Sequence, residues 1–156
     1  MSANLELKLA VILHADIVGS TRLVQENEAQ AHQAMVDAFV QLSADVEKYG
    51  GDAAEIRGDA LVGVFSRASD AVNAAVEFQN RHTRSTAAAE QEIHPGLRIG
   101  IAMGEVIIAD NTVTGAGVVL AQRLEQLCQA GQVTIQGAVY ETLPNHLPLD
   151  CESLGE

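Results

Sequence analysis

Hydrophobic positions along the first part of the chain predict a buried strand and a hairpin. Residues 8–18 are apolar on both faces, which is typical of a central strand covered on both sides. Two short apolar runs follow, Ala53 to Arg57 and Leu61 to Phe65, around the turn Gly58-Asp59-Ala60. Apolar runs separated by a glycine-containing turn are typical of a β-hairpin.

The second half of the chain predicts further strands. The segment LRIGIAMGEVIIAD (97–110) reads as a strand, a break at Gly104 and another strand. The segment QVTIQ (132–136) predicts a short strand, and GAVYETL (137–143) a short helix. A tail at 144–156 with two prolines is expected to be irregular.

Apolar residues at spacings of three and four predict three longer helices. The first opens after Gly19, Ser20 and Thr21, where Ser20 or Thr21 can cap it, and it ends at Gly50-Gly51. Its apolar face consists of Met35, Ala38, Phe39, Leu42, Val46 and Tyr49. The second carries Ala68, Ala71, Val72, Ala75, Val76 and Gln79, and the third carries Val118, Ala121, Leu124, Leu127 and Cys128. The polar stretch 81–95 is expected to be an exposed loop.

The resulting element order defines the predicted fold class. It is β-α-β-β-α-β followed by β, α, β and α, which predicts an α+β protein with a ferredoxin-like core and an extension. A length of 156 residues suits a single domain, here 1–156, with a sizeable core.

Composition narrows the classes of partner. A net charge of −12 argues against nucleic-acid or membrane-surface binding, since both need a basic face. It leaves room for a nucleotide, which needs only local donors and a cation. The start of the chain lacks the pattern of a signal peptide, and its two cysteines have no metal-binding spacing, so a cytoplasmic setting is expected.

Two aspartates are the first candidate functional residues. Asp16 ends the apolar strand and Asp59 lies in the hairpin turn. Each alone has an ordinary explanation, a helix cap or a solvated turn. In a ferredoxin-like sheet, however, the first strand lies beside this hairpin, so the two carboxylates are expected to approach each other. Such a pair suits Mg²⁺ or Mn²⁺. His14, two residues before Asp16, is either a packed or capping residue or a metal ligand.

A phosphate-binding turn is expected next to these carboxylates. The turn from Ile17 through Gly19, Ser20 and Thr21 leads into a helix N-terminus, whose N–H groups can hold phosphate oxygens. Paired carboxylates, divalent ions and a phosphate-binding turn together indicate chemistry on a triphosphate.

Four segments, in order and spacing, resemble the class III adenylyl and guanylyl cyclases over nearly the whole chain. They are HADIVGSTRL, EIRGDALVGVF, LRIGIAMGEVII and TVTGAGVVLAQRLEQL. The resemblance implies the nucleotide cyclase fold and conversion of ATP or GTP to a 3′,5′-cyclic nucleotide at a head-to-tail homodimer interface, in intracellular signalling. It also implies two divalent cations, Mg²⁺ or Mn²⁺, held by Asp16, Asp59 and the carbonyl of Ile17.

The same resemblance assigns the remaining site residues. Arg98 corresponds to an arginine that contacts the phosphates from the metal-bearing subunit, and Arg123 to the arginine that the partner offers to the transition state. Glu55 and Thr112 correspond to the two positions that read the base. Val119 stands where the family usually has an asparagine that orients the ribose.

Two of these positions bear on substrate and rate. A carboxylate at Glu55 can accept hydrogen bonds from guanine N1–H and its amine, which favours GTP, although a salt bridge with Arg57 or another arginine is the alternative. Val119 cannot hydrogen-bond a ribose, a loss of about 1–3 kcal/mol. Val119 and Arg123, four residues apart, share a helix face that is distinct from the predicted core face through Leu120, Leu124 and Leu127.

An alternative function follows from the same departures. The domain could be a catalytically weak or inactive nucleotide-binding sensor or dimerisation module. Relatives usually continue into another strand that carries a phosphate-binding lysine, so this chain is expected to belong to a longer protein with further domains.

Overall fold

A six-stranded sheet forms the centre of the described part of the chain. The structure is a computed structural model that describes residues 5–18, 28–57, 60–88, 95–110, 112–144 and 153–155. Its strands are β1 (Leu5–Ile17), β2 (Asp52–Arg57), β3 (Ala60–Phe65), β4 (Leu97–Ala109), β5 (Thr112–Thr114) and β6 (Val133–Ile135). Its helices are α1 (Glu28–Lys48), α2 (Ala68–Ala88), α3 (Ala116–Gln126) and α4 (Gly137–Glu141).

The strand order confirms the predicted ferredoxin-like core. The main path is β2-β3-β1-β4-β5, and β6 pairs with β4 in parallel. β1 is antiparallel to both β3 and β4, so it lies in the middle of the sheet as the apolar pattern predicted. The predicted hairpin is formed by β2 and β3.

The predicted strand break at Gly104 is wrong. β4 runs without interruption from Leu97 to Ala109, and the additional strand is β5 at Thr112–Thr114. Gly104 serves a close approach to α3 instead, because a Cβ atom on it would lie 3.0 Å from the Cα atom of Gly117. A glycine inside a strand often marks such an approach of another backbone.

Helices cover both faces of the sheet. α1 and α2 pack on one face and α3 packs on the other. The first core includes Leu13, Ala15, Leu42, Val46, Leu61, Phe78, Ile99 and Ile101. The second includes Ala10, Ile12, Val62, Ala102, Val106 and Ala121. Each large side chain buried in this way stabilises the fold by about 1.5–3 kcal/mol. Coverage on both faces explains why β1 is apolar throughout its centre.

The first helix ends where the sequence predicted. Gly50 has a φ of 81°, and the N–H of Gly51 donates to the carbonyl of Val46 at 2.9 Å. A glycine in the left-handed region commonly ends a helix in this way. The predicted start at Gly19, Ser20 and Thr21 lies outside the described residues.

The predicted loop at 81–95 is partly wrong, because α2 continues to Ala88. Polar residues in this stretch find partners in the fold. Arg81 forms an ion pair with the buried Asp45 of α1, and His82 stacks on Phe78 with ring centroids 5.1 Å apart. Lys48 pairs with Glu77 at 2.6 Å in the same helix–helix contact. These contacts stabilise a polar helix segment that local composition favoured as a loop.

The predicted core face of α3 also needs correction. Leu127 is 66% exposed, and the fully buried positions of the helix are Gly117, Ala121 and Glu125. Small residues face the sheet because α3 lies very close to it. A Cβ atom on Gly100 of β4 would be 2.3 Å from the carbonyl oxygen of Ala121. Leu120 and Leu124 pack against this core from its margin and are partly buried, as predicted.

Candidate active site

Asp16 and Arg98 form the centre of the site at the carboxyl end of β1. The two residues are partners in the β1–β4 register, so their side chains leave the same face of the sheet side by side. Arg98 Nε donates to Asp16 Oδ1 at 3.2 Å and Arg98 Nη2 donates to Oδ2 at 3.0 Å. This two-pronged contact raises the pKa of Arg98 above its ordinary value, because the charged guanidinium donates to the carboxylate.

The metal-binding prediction is only partly covered by the described residues. Asp59, Gly19, Ser20 and Thr21 lie outside them. Asp16 pairs in register with Ala60, which directly follows Asp59 in the chain. The side chain of Ile17 is buried, so the group that could bind a metal is its main-chain carbonyl.

The donor chemistry at this position suits a hard divalent cation. The Asp16 carboxylate remains 22% exposed although it is paired with Arg98, so an ion can reach its oxygens. Within the residues that the structure describes, His, Cys, Asp and Glu side chains form no group of three that could hold a metal. The predicted second carboxylate ligand, Asp59, lies outside this part of the chain.

A buried glutamate that the sequence did not predict joins this site. Glu125 of α3 is 1% exposed, with Oε2 at 3.1 Å from Arg98 Nη2 and Oε1 at 3.4 Å from Nδ1 of His14. His14 is buried as well, in agreement with a packed role. The signal that could have revealed Glu125 is the series Gly117, Ala121, Glu125, which places an acid in line with small residues that pack on a sheet.

The two predicted base-reading positions come close to each other, although β2 and β5 lie at opposite ends of the main strand path. Glu55 of β2 is buried, and its Oε1 accepts a hydrogen bond from the backbone N–H of Val113 at 3.1 Å. Thr112 is the residue before Val113 and is exposed, with its hydroxyl donating to the carbonyl of Ala109 at 2.8 Å. The register of β2 shifts between Ala53 and Glu55, an irregularity that re-aims side chains.

Arg123 and Val119 lie on the exposed side of α3. Val119 is 47% exposed and Arg123 is exposed one turn later. Because Arg123 and Glu125 are two residues apart, their side chains leave the helix about 200° apart. Glu125 points to Arg98 of its own chain, so Arg123 points away from that contact, toward solvent.

The fold and these residues define an α+β domain in which an aspartate and an arginine pair at the end of the central strand. The sequence matches the family described as the adenylate and guanylate cyclase catalytic domain over residues 6–156. The chain belongs to this family of nucleotide cyclase catalytic domains.

Similar proteins agree with this family. The adenylate cyclase of Streptomyces coelicolor is 34% identical over 130 residues, which are 83% of this chain and 32% of that protein. The adenylate/guanylate cyclase/hydrolase from Silicibacter pomeroyi is 27% identical, with a TM-score of 0.79 and coverage of 88% and 81% of the two chains. The adenylyl cyclase CyaB from P. aeruginosa is 25% identical, with a TM-score of 0.77 and coverage of 89% and 82%.

Two further findings concern the length of the relatives and the character of the described helices. The chain spans from 25% to 46% of the length of several curated relatives. Among the described helices, none is both long and apolar enough to cross a bilayer.

Proposed function

We propose that this chain is the catalytic domain of a nucleotide cyclase that acts as a head-to-tail homodimer in intracellular signalling. It converts a nucleoside triphosphate, GTP in preference to ATP, to the 3′,5′-cyclic nucleotide and pyrophosphate. The observation that carries the proposal is the position of Asp16, paired with Arg98 and in register with the residue that follows Asp59.

Metal binding in this proposal uses Asp16, Asp59 and the carbonyl of Ile17. Two Mg²⁺ or Mn²⁺ ions, when bound, lower the pKa of the ribose 3′-hydroxyl and neutralise charge on the triphosphate. The backbone N–H groups of Gly19, Ser20 and Thr21 are assigned to the phosphate oxygens.

The reaction is an in-line displacement at the α-phosphorus. The 3′-oxygen forms a bond to this phosphorus, the bond to the β-phosphate oxygen breaks, and the hydroxyl proton leaves to solvent. Arg98 contacts the phosphates within the metal-bearing chain. Arg123 of the second chain stabilises charge that develops on the reacting phosphate. The exposed, outward direction of Arg123 on α3 supports its use by another molecule.

Base selection is assigned to Glu55 and Thr112. The bond from the Val113 N–H holds the Glu55 carboxylate in one orientation. A carboxylate accepts from guanine N1–H and its amine but offers no donor to adenine N1. GTP is therefore the expected preferred substrate.

A product assay tests the proposal. The purified domain with Mn²⁺ is incubated separately with ATP, GTP, CTP and UTP, and cyclic products are identified by mass. We expect cyclic GMP to form fastest and EDTA to abolish the reaction. If the domain and a longer chain that contains it both bind GTP without forming a cyclic product, the result would support a nucleotide-binding sensor. Val119 is the residue that favours this alternative.

Mixed dimers test the division of the site between two chains. Asp16→Asn and Arg123→Ala are each expected to be inactive. A one-to-one mixture is expected to regain about a quarter of wild-type activity, because half of the dimers then hold one intact site of two. Asp37→Asn and Arg84→Ala, at exposed positions of α1 and α2, are matched controls that should stay within about twofold of wild type. Full activity of both single site variants would refute the assignment.

A further inference from the structure

Glu125 is a buried acid in direct contact with a residue of the proposed site. Its side chain is 1% exposed and lies between Arg98 and His14. A carboxylate in such a position is costly unless charged or hydrogen-bonding partners offset the loss of water. A residue that only filled space between α3 and the sheet would be apolar.

The close approach of α3 to the sheet brings this carboxylate to β1 and β4. A Cβ atom on Gly100 would lie 2.4 Å from the backbone nitrogen of Glu125, so only glycine allows this approach. Arg98 lies two residues before Gly100 on the same strand, and His14 pairs with Gly100 across the sheet. The glycine therefore sets the distance from which Glu125 contacts both side chains.

The guanidinium of Arg98 contacts two carboxylates. Its Nε and Nη2 atoms donate to Asp16, and Nη2 also lies 3.1 Å from Glu125 Oε2. A guanidinium is rigid and planar, so the hydrogen bonds from Asp16 and the ion pair of Nη2 with Glu125 together restrict its orientation. A cation bound to Asp16 would weaken the attraction between Asp16 and Arg98. The contact between Arg98 and Glu125 would remain.

We propose that Glu125 is a positioning residue for triphosphate binding, which orients Arg98 toward the phosphates of the nucleotide held by the same chain. The inference rests on the proposed function, because it takes Arg98 as a phosphate-binding group. It adds a residue on α3 that acts within its own chain, while Arg123 of the same helix acts on the site of the partner.

Binding measurements test the connection to the phosphates. The probes are 3′-deoxy-GTP, which cannot cyclise, and 3′-deoxyguanosine, which has no phosphates, both with Mn²⁺ and the dimeric protein in a calorimeter. Glu125→Gln removes the charge at nearly constant shape and is expected to weaken 3′-deoxy-GTP binding about tenfold. Binding of 3′-deoxyguanosine should be unchanged. Glu141→Gln, at an exposed position of α4, is the matched control and should bind both probes as wild type does.

A double-variant cycle tests whether Glu125 acts through Arg98. Arg98→Lys keeps the charge but loses the fork, so it should weaken 3′-deoxy-GTP binding to a similar degree. The double variant should lose little more than either single variant. Losses that multiply, or an equal loss for 3′-deoxyguanosine, would overturn the inference. If Arg98→Lys binds 3′-deoxy-GTP as tightly as wild type, the fault lies in the proposed role of Arg98 instead.

Mixed dimers give a second, independent measurement. Glu125→Gln mixed with Arg123→Ala should regain cyclase activity, because one site then combines an intact Arg98 contact with an intact Arg123. At GTP concentrations well below saturation, Glu125→Gln mixed with Asp16→Asn should show no gain over Glu125→Gln alone. The reverse pattern would show that Glu125 supports Arg123 and would contradict the proposal. If Glu125→Gln shows no cooperative thermal unfolding, Glu125→Asp, which keeps the charge but shortens its reach, takes its place in both experiments.

Discussion

Val119 stands at the position where the resemblance predicts an asparagine that orients the ribose. It lies one helical turn before Arg123 on the exposed face of α3 and is 47% exposed. An exposed valine contributes little to the core and has no group that could hydrogen-bond a ribose. Its effect is therefore expected on the reaction rate and not on stability.

Val119→Asn is predicted to raise the cyclisation rate by about fivefold or more, because one hydrogen bond contributes about 1 kcal/mol or more. The rate is measured as cyclic nucleotide formed per dimer at saturating GTP and Mn²⁺. Leu127→Asn, an exposed apolar residue of the same region, is the control and should leave the rate unchanged. Equal rates for wild type and Val119→Asn would remove the assigned role of this position.

At the scale of elements, the contact between α3 and the sheet places the site. Gly100, Gly104, Gly117 and Ala121 let the helix lie close enough for Glu125 to contact side chains of β1 and β4. This contact has little freedom to adjust, since backbone atoms meet on both sides.

Gly100→Ala is predicted to lower the free energy of unfolding by about 3 kcal/mol, because the added methyl group meets backbone atoms of α3 and forces a shift. Gly137→Ala is the matched control, since a Cβ atom there meets nothing within 4 Å. It should change the free energy by less than about 1 kcal/mol. Urea denaturation followed by circular dichroism measures both, and equal values would refute the tight packing at Gly100.

At the scale of the whole molecule, two side chains of α3 point in different directions. Glu125 faces Arg98 within the chain, and Arg123 faces solvent about 200° away around the helix. A site that needs both Asp16 and Arg123 is then completed by a second chain. Two such chains related by a two-fold axis would form two equivalent sites.

Specific activity is predicted to fall on dilution through the dimer dissociation constant, because the separated chains hold only half of a site each. Sedimentation measures the dimer population, and product formation is followed over the same concentrations. A tandem chain of two copies joined by a flexible linker should keep its specific activity, since the linker maintains a high effective concentration. Constant specific activity of the unlinked chain under conditions where it sediments as a monomer would contradict the two-chain site.

Much of the fold followed from local patterns. The apolar centre of β1, the hairpin of β2 and β3 and the helix end at Gly50 are each specified by residues close in sequence. The position of β1 beside the hairpin was predicted from the expected fold and is confirmed. The metal shared by Asp16 and Asp59 stays a prediction, because Asp59 lies outside the described residues. Glu55 and Thr112 were predicted by resemblance to read the base, and the structure brings Glu55 to the residue that follows Thr112.

The sequence by itself determined the element order, the family and most of the candidate residues, because periodicity and short motifs are local properties. Tertiary structure alone decided three other features: the burial of Glu125, the unbroken course of β4 through Gly104 and the helical state of 81–88. Each depends on atoms far away in the chain. A buried polar residue is stable only if another group in the fold is its partner. A glycine permits close packing only where another segment of backbone lies next to it.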